Sequence, residues 1–179
     1  MIIFDFCKTL VPFNTTETFL NKIYKRNVLL VTFNFIRKLA SKVGIYVEEY
    51  RQLKMLKFLF NKEFIDTKKW LTNKIDETYD KSLIEKAIQI RLNRELIILN
   101  TATFGSLISE VKFLKEFDFI LSSNDKKINK GEQKILSILP YLKPQERKII
   151  FSDSINEDWP LFLISDISYL KHENKLFQL

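Results

Sequence analysis

The sequence opens with Met1-Ile2-Ile3-Phe4-Asp5-Phe6-Cys7-Lys8-Thr9-Leu10, in which an apolar run ends at an acidic residue. A short apolar run of this kind is typical of a strand that a sheet buries on both faces. Asp5 then lies at the carboxyl end of that strand, the edge where open α/β sheets bind their ligands. This stretch therefore predicts both a class of fold and the edge of the sheet at which function is found.

Beyond residue 95, short apolar runs alternate with amphipathic stretches. The predicted strands are residues 1–6, 96–99, 117–121, 148–151 and 167–170, the last followed by a charged tail around His172. The predicted helical stretches are one that ends at Lys115, residues 131–139 and residues 158–164. This alternation predicts an α/β fold with a Rossmann-like parallel sheet that is covered by helices on both faces.

The segment between the first two predicted strands is helical. Residues 15–94 have apolar side chains at helical spacing and contain no convincing strand. We predict four or five helices there, inserted between the first and second strands. The expected domains are an α/β core of residues 1–13 and 96–179 and an all-helical unit of residues 14–95.

The composition excludes several classes of protein. With 179 residues, of which 46% are hydrophobic and 28% charged, the chain can bury a substantial core and is not disordered overall. A single cysteine, Cys7, allows no internal disulfide, and a single histidine, His172, leaves no Cys/His zinc cluster. Because His172 sits among charged residues, Ser-His-Asp and Cys-His catalysis are disfavoured.

The positive charge is concentrated in the middle of the chain. The net charge is +7, and residues 11–95 carry all of it, with 17 Lys/Arg against 10 Asp/Glu. Such a segment attracts phosphorylated substrates, nucleic acids or anionic membranes, although a solvated lysine-rich surface is the simpler explanation. No RNA- or DNA-binding motif supports nucleic acid as a partner. Because Lys25, Arg26, Arg37 and Lys38 flank an apolar helix, association with a membrane surface is a further alternative.

The N-terminal stretch does not have the form of a secretory signal, because it carries an acid and no basic region. The longest apolar stretch, Val28–Ile36, is about half the ~18 residues that a membrane-spanning helix needs. We therefore expect a soluble, cytoplasmic protein. No feature of the sequence indicates an obligate protein partner.

Oxygen-bearing side chains follow the predicted strands, at the edge where their carboxyl ends meet. They are Asp5, Thr101, Ser122, Ser123 and Asp153, with Asp158 one turn further on. Several acids at one edge repel one another unless a cation lies between them, and oxygen ligands favour Mg²⁺. A lysine from the segment Lys126–Lys134 and a hydroxyl beside that ion would make a pocket for phosphate.

Two segments resemble motifs of the haloacid dehalogenase-like (HAD) superfamily of phosphohydrolases. The superfamily opens with an apolar strand and the pattern D-x-D-x-T-L, and residues 2–10 read IIFDFCKTL. Its second motif is an apolar strand ending in Ser or Thr, which Ile97-Ile98-Leu99-Asn100-Thr101 matches. Thr101-Ala102-Thr103 is similar to the Ser-Ala-Ser variant of the phosphoserine-phosphatase-like branch.

Two later segments resemble the remaining motifs in the same order. Gly131-Glu132-Gln133-Lys134 is similar to the G-x-x-K form in which a lysine opens a helix, with Lys130 as the rival lysine. Residues 149–154 (IIFSDS) and Asp158-Trp159-Pro160-Leu161-Phe162 are similar to D-S-x-x-D-x-P-L-L, with one additional residue. The helical insertion stands where this superfamily carries its C1-type cap.

The resemblance implies a Mg²⁺-dependent phosphatase that acts on a small phosphorylated substrate through an aspartyl-phosphate on Asp5. The catalytic positions that it implies are Asp5, Cys7, Thr101 and Lys134. The phosphate-binding positions that it implies are Thr9, Thr101, Ala102 and Lys134, with Lys130 as the alternative lysine. The metal ligands that it implies are Asp5, Cys7 through its backbone carbonyl, Asp153 and Asp158, the last as a ligand or a support.

Position 7 departs from the superfamily pattern, because Cys7 stands where a second Asp normally acts as general acid and base. An ordinary thiol is poor at both tasks, and losing a positioned acid/base costs about 10²–10⁴-fold in rate. The alternatives are a slow phosphatase, one that borrows an acid from the cap or the substrate, an inactive phosphate-binding or regulatory protein, and a dehalogenase. Asp153 and Asp158 argue against dehalogenation, which needs no Mg²⁺. Lys8 and Ser152 also replace the usual glycines.

Overall fold

A computed structural model describes residues 1–42, 48–92, 94–173 and 175–179. The strands are β1 (Ile2–Phe4), β2 (Ile97–Phe104), β3 (Phe119–Ser123), β4 (Ile149–Ser152), β5 (Ile167–His172) and β6 (Lys175–Gln178). The helices are α1 (Thr15–Ile23), α2 (Val28–Lys42), α3 (Glu49–Leu59), α4 (Asn61–Thr78), α5 (Lys81–Ile90), α6 (Gly105–Ile108), α7 (Glu132–Ile138) and α8 (Ile155–Ile164). Short 3₁₀ helices cover Lys112–Glu116 and Leu139–Tyr141.

One six-stranded sheet runs in the order β3-β2-β1-β4-β5-β6. The first five strands are parallel, and β6 pairs antiparallel with β5. Strand β1 lies in the middle, where Ile3 is in register with Ile98 of β2 and Ile150 of β4. The mixed α/β class with a mainly parallel sheet is therefore confirmed, and the order places a topological switch point between β1 and β4.

The alternation of side chains along β1 divides the core into two layers. Ile2 and Phe4 point into a large apolar cluster that continues into the helices inserted between β1 and β2. Ile3 points the other way, into a smaller cluster with Ile138 of α7 and Leu161 of α8. Because both faces of β1 are buried, every residue of this strand has to be apolar.

The inserted segment forms five helices, α1 to α5, within the described residues. Asn14 caps α1 by accepting a hydrogen bond from the backbone N–H of Glu17, and Asp80 caps α5 in the same way from Leu83. The predicted helical character of residues 15–94 agrees with these elements. The division into a core and a separate helical unit of residues 14–95 stays a prediction.

Two predictions of secondary structure were wrong. The helical stretch expected before Lys115 starts later, because β2 continues to Phe104, which pairs with Ser123 of β3. Thr101 and Thr103 are β-branched, which suits the extended backbone. The charged tail around His172 contains a strand, β6, because Leu176 and Phe177 pair with β5 after a turn in which Glu173 has φ 54°. None of the described helices combines the length and the apolarity that crossing a bilayer requires.

An ion pair ties the amino ends of β2 and β4 together beside β1. Arg147 donates from Nη2 and Nε to the two carboxylate oxygens of Glu95, at 2.8 and 3.2 Å. The backbone N–H of Leu92 donates to the same carboxylate at 3.0 Å. Burial raises the pKa of Glu95, but the hydrogen bonds from Arg147 and Leu92 outweigh it and bring the pKa to about 2.

We expect Glu95→Gln to lower the free energy of unfolding at pH 7 by about 1–3 kcal/mol, because charge-assisted hydrogen bonds are lost. The folded-state pKa lies below the ordinary value of 4.5, so this stabilisation is present above pH 4.5 and is lost as the pH falls towards 2. Urea unfolding of both proteins across this range measures the difference. Glu85→Gln, at an exposed pair with Lys81, should cost under about 0.5 kcal/mol. A Glu95→Gln deficit independent of pH would contradict this account.

Candidate active site

A buried ammonium group joins two carboxylates at the carboxyl edge of the sheet. The Nζ of Lys134, in the first turn of α7, lies 2.7 Å from Oδ1 of Asp5 and 2.5 Å from Oδ1 of Asp158. Asp5 directly follows β1, and Asp158 lies on α8. Lys134 and Asp158 are only 3% and 1% exposed. Three distant parts of the sequence therefore meet at one charged centre.

Further side chains hold this centre in position. Ser152, the last residue of β4, donates from Oγ to Oδ2 of Asp158 at 2.7 Å, so both oxygens of Asp158 are engaged. Asn100 on β2 donates from Nδ2 to the backbone carbonyl of Lys134 at 2.9 Å and accepts a hydrogen bond from Asn129 at 2.7 Å. The positioning roles of Ser152, Asn100 and Asn129 are not predicted from the sequence. A polar Asn100 at the end of an apolar run was the available signal.

The charges at the centre perturb one another. Burial raises the pKa of Asp5 to about 6, with a further contribution from Asp158, although Lys134 works in the opposite direction. Burial alone lowers the pKa of Lys134, but Asp5 and Asp158 outweigh it and hold that pKa above its usual range. Lys134 is therefore a permanent cation between two carboxylates, and the centre has an excess of negative charge when both are ionised.

The thiol of Cys7 lies in a pocket of hydroxyl groups. Its Sγ is 3.3 Å from Oγ1 of Thr15 and 3.2 Å from Oγ1 of Thr103, and the backbone N–H of Thr15 points to it at 3.5 Å. Burial and the neighbouring Asp5 raise the pKa of Cys7 above its ordinary value of 9.0. The thiol is therefore neutral at pH 7 and a poor proton donor or acceptor.

Asp153, which follows β4, lines the same cavity as Asp5. Its Oδ1 accepts a hydrogen bond from Oγ1 of Thr9 at 3.4 Å. Burial raises the pKa of Asp153, as do the charges of Asp158 and Glu157, while Lys8 lowers it. Thr9 and Asp153 connect the loop after β1 with the loop after β4.

The donor set fits Mg²⁺ in its chemistry. Asp5 and Asp153 present carboxylates to one cavity, and burial and a neighbouring acid raise the pKa of each, so a divalent cation between them would favour their ionised forms. The oxygens of Asp158 are engaged by Lys134 and Ser152, so Asp158 is placed to orient the lysine. No three His, Cys, Asp or Glu side chains within the described residues form a metal-binding cluster.

Thr9, which is predicted to bind phosphate, is fully buried and is not among the residues that line the cavity. The remaining predicted residues lie around the cavity, with two exceptions. Thr101 and Ala102, at the carboxyl half of β2, line it, and Oγ1 of Thr101 accepts a hydrogen bond from the N–H of Thr103 at 3.0 Å. Lys130 lines it but forms an exposed ion pair with Glu157 at 2.9 Å, away from Asp5. The exceptions are Ser122 and Ser123, which are not among the lining residues; Ser123 donates to the carbonyl of Ala102 at 2.6 Å.

The cavity has a volume of about 290 Å³, and residues of both the sheet side and the inserted segment line it. The sheet side contributes Asp5, Thr101 and Lys134, and the inserted segment contributes Asn14, Thr16 and Glu49. Lys8 adds a positive charge and has φ 59°, a left-handed conformation that favours glycine. The superfamily usually has glycine at this position of the D-x-D-x-T-L pattern. Lys8 adopts the left-handed backbone conformation although it is not glycine.

Solved structures with a similar fold include three that cover most of the chain. A protein with unknown function from Bordetella pertussis Tohama I has 13% identity and a TM-score of 0.61, with 87% of this chain and 82% of that chain covered. A phosphoserine phosphohydrolase-like protein from Francisella tularensis subsp. tularensis SCHU S4 has 15% identity and a TM-score of 0.57, with 97% and 87% covered. This likeness confirms the predicted HAD-like α/β fold.

A phosphoserine phosphatase, solved as a phospho-aspartyl intermediate analogue, has 13% identity and a TM-score of 0.50, with 93% of this chain and 83% of that chain covered. At these identities the likeness concerns the HAD-like fold alone. No protein-family model matches the sequence, and no curated protein matches it.

We expect Lys134→Met to lower the free energy of unfolding by about 3–5 kcal/mol, because it leaves two buried carboxylates without their cation. Lys130→Met is the matched control, since its ion pair with Glu157 is exposed and is worth at most about 1 kcal/mol. Urea unfolding monitored by circular dichroism measures both. Equal stabilities of the two variants would show that Lys134 is not the cation on which the centre depends.

Proposed function

We propose that the protein is a phosphomonoesterase that transfers a phosphoryl group from a small substrate to Asp5 and then to water. The observation that carries this proposal is the Nζ of Lys134, held between Asp5 and Asp158 inside a cavity lined by hydroxyl groups. A carboxylate can attack a phosphate dianion only where positive charge offsets their repulsion. Phosphatase neighbours with the same fold support this type of reaction.

In the first step, a carboxylate oxygen of Asp5 bonds to phosphorus, and the bond to the leaving oxygen breaks. Lys134 stabilises the charge that builds up on the phosphoryl oxygens, and Thr101 and Ala102 line the space where those oxygens bind. Asp158 and Ser152 prevent Lys134 from turning away. In the second step, water bonds to phosphorus, the bond between phosphorus and Asp5 breaks, and inorganic phosphate leaves with the Asp5 carboxylate restored. The proton of the attacking water passes to the departing phosphate or to solvent, as the leaving oxygen of the first step takes its proton from solvent.

Mg²⁺ is the cofactor that the donor set supports. Asp5, Asp153 and the backbone carbonyl of Cys7 would hold it, and when bound it supplies further charge neutralisation and Lewis-acid assistance. Thr9 positions Asp153 through the hydrogen bond between their side chains. Because the centre has an excess of negative charge when Asp5 and Asp158 are both ionised, a second cation besides Lys134 would stabilise it.

The inserted segment would act as a cap that selects the substrate. Asn14 and Thr16 come from the start of α1, and Glu49 begins α3, so this segment forms part of the wall of the cavity. A volume of about 290 Å³ suits a small phosphorylated molecule. We therefore infer that the substrate is small, and that its non-phosphate portion contacts these three polar side chains.

Asp5→Asn tests the nucleophile. We expect the Mg²⁺-dependent hydrolysis of p-nitrophenyl phosphate to fall by about 10³-fold or more, since the amide cannot form an acyl phosphate. Asp66→Asn, on α4 beside Arg26, is the matched control and should retain the full rate. Mass spectrometry of acid-quenched enzyme should find a phosphoryl adduct on the peptide containing Asp5. Equal residual rates in wild type and Asp5→Asn would end the proposal.

The neutral thiol of Cys7 favours one alternative, a protein that binds phosphate but turns it over slowly or not at all. Its neighbours Thr15 and Thr103 offer two hydroxyls and a backbone N–H, which are donors for a carboxylate. A carboxylate at position 7 would therefore find hydrogen-bond donors, although it would also add a negative charge beside Asp5, and it would supply the acid and base that the thiol does not.

We expect Cys7→Asp to raise the hydrolysis of an alkyl phosphate such as glycerol 2-phosphate by about 10²-fold, because an alkoxide leaving group needs a proton. Cys7→Asn is the matched control, since it has the same shape and cannot transfer a proton. If Cys7→Asp and Cys7→Asn have the same rate, the missing acid is not what limits turnover. Stabilisation by phosphate without turnover in any of these proteins would favour the binding alternative.

A further inference from the structure

Helix α2 turns its apolar side outward. Six apolar residues of this helix are between 47% and 79% exposed, and they are Val28, Leu29, Val31, Phe35, Ile36 and Leu39. Their spacing places them on one continuous face of the helix, which we call the outer face. A helix that packs only within its own protein has the opposite arrangement, so the outer face suits a surface that lies outside this chain.

The inner face of α2 already holds the helix to the protein. Leu30 is fully buried, and the ring of Phe33 stacks on Tyr24 at 6.2 Å between centroids. The guanidinium of Arg37 lies 5.5 Å from the centre of the same tyrosine ring. Asn27 caps the helix by accepting a hydrogen bond from the N–H of Leu30 at 2.9 Å. The helix is therefore anchored without help from its outer face.

The segment around α2 is basic throughout. No acidic residue occurs between Glu17 and Glu48, whereas this stretch contains Lys22, Lys25, Arg26, Arg37, Lys38 and Lys42. By helical spacing, Lys38 and Lys42 follow seven residues after Val31 and Phe35 and lie along the same edge of the outer face. Among the described contacts, two acids of α4 meet this segment: Asp66 pairs with Arg26 at 3.6 Å, and Glu63 accepts a hydrogen bond from Asn27.

Charge decides between the two surfaces that could cover the outer face. A second copy of the chain, docked through the same face, would bring the acid-free stretch between Glu17 and Glu48, which includes Lys42, against like charges. An anionic lipid surface offers an apolar interior for Phe35 and Leu29 and negative headgroups for the lysines. We propose that α2 docks the protein on an anionic membrane surface, with the helix lying in the plane of the headgroups.

Sedimentation of the full chain with sucrose-loaded vesicles tests this proposal. We expect binding to vesicles of phosphatidylcholine with one-third phosphatidylglycerol, weaker binding to phosphatidylcholine alone, and a fall in binding as salt rises. The double variant Leu29→Gln/Phe35→Gln should reduce the partition coefficient by about tenfold or more, because two apolar side chains no longer enter the bilayer. Both residues are exposed, so circular dichroism and the melting temperature should not change.

Leu163→Gln is the matched control, because Leu163 lies on α8 and is 74% exposed, against 70% for Leu29. It should bind anionic vesicles as the wild type does. Three results would overturn the proposal: no binding to anionic vesicles at low salt, an equal loss of binding in Leu163→Gln, or light scattering that shows a dimer abolished by Leu29→Gln/Phe35→Gln in a protein that ignores vesicles. This inference does not rest on the proposed phosphatase activity.

Discussion

The buried ammonium of Lys134 is the constraint on which the rest of the structure depends. Removing one cation and two carboxylates from water is costly, and it is tolerable only where their geometry is good and the remaining oxygens are satisfied. Ser152 donates a hydrogen bond to the oxygen of Asp158 that does not contact Lys134. Asn100 donates to the backbone carbonyl of Lys134 and holds that backbone in place. The order of the sheet follows the same requirement. Asp5 follows β1 and Asp158 lies on the helix that follows β4, so these two strands have to be neighbours for both carboxylates to reach Lys134 on α7.

The charge balance of this centre connects stability with chemistry. Two carboxylates share one lysine, so part of their repulsion stays uncompensated and burial raises the pKa of Asp5. Burial destabilises the ionised form of this carboxylate. Bonding to an electrophile or the approach of a cation therefore stabilises it. The neutral thiol of Cys7 fits this balance, since a carboxylate there would add a further negative charge beside Asp5.

Much of the fold and several site positions could be predicted from the sequence, for physical reasons that differ between elements. Strands buried on both faces consist mainly of apolar residues. The apolar runs of β1, β4 and the first half of β2 therefore predicted these strands. The second half of β2 could not be predicted, because Thr101 and Thr103 suit a helix start as well as a strand. Lys134 could be predicted because it follows Gly131 in the G-x-x-K form. The role of Ser152 could not, because it depends on a contact between β4 and α8 that the sequence spacing does not indicate. The apolar residues on the outer face of α2 have the same helical spacing as residues on a buried helix face. Only the structure shows that they point away from the protein.

The central position of β1 has a consequence for biosynthesis. The ribosome makes Ile2–Phe4 long before its partner strand β4, which begins at Ile149. The inserted helices can assemble earlier, because α1 and α3 both pack on α4, whereas β1 lacks a neighbour on one side until β4 has been made. The charged centre has to wait for the same part of the chain, and a product that stops before Asp158 could not assemble it.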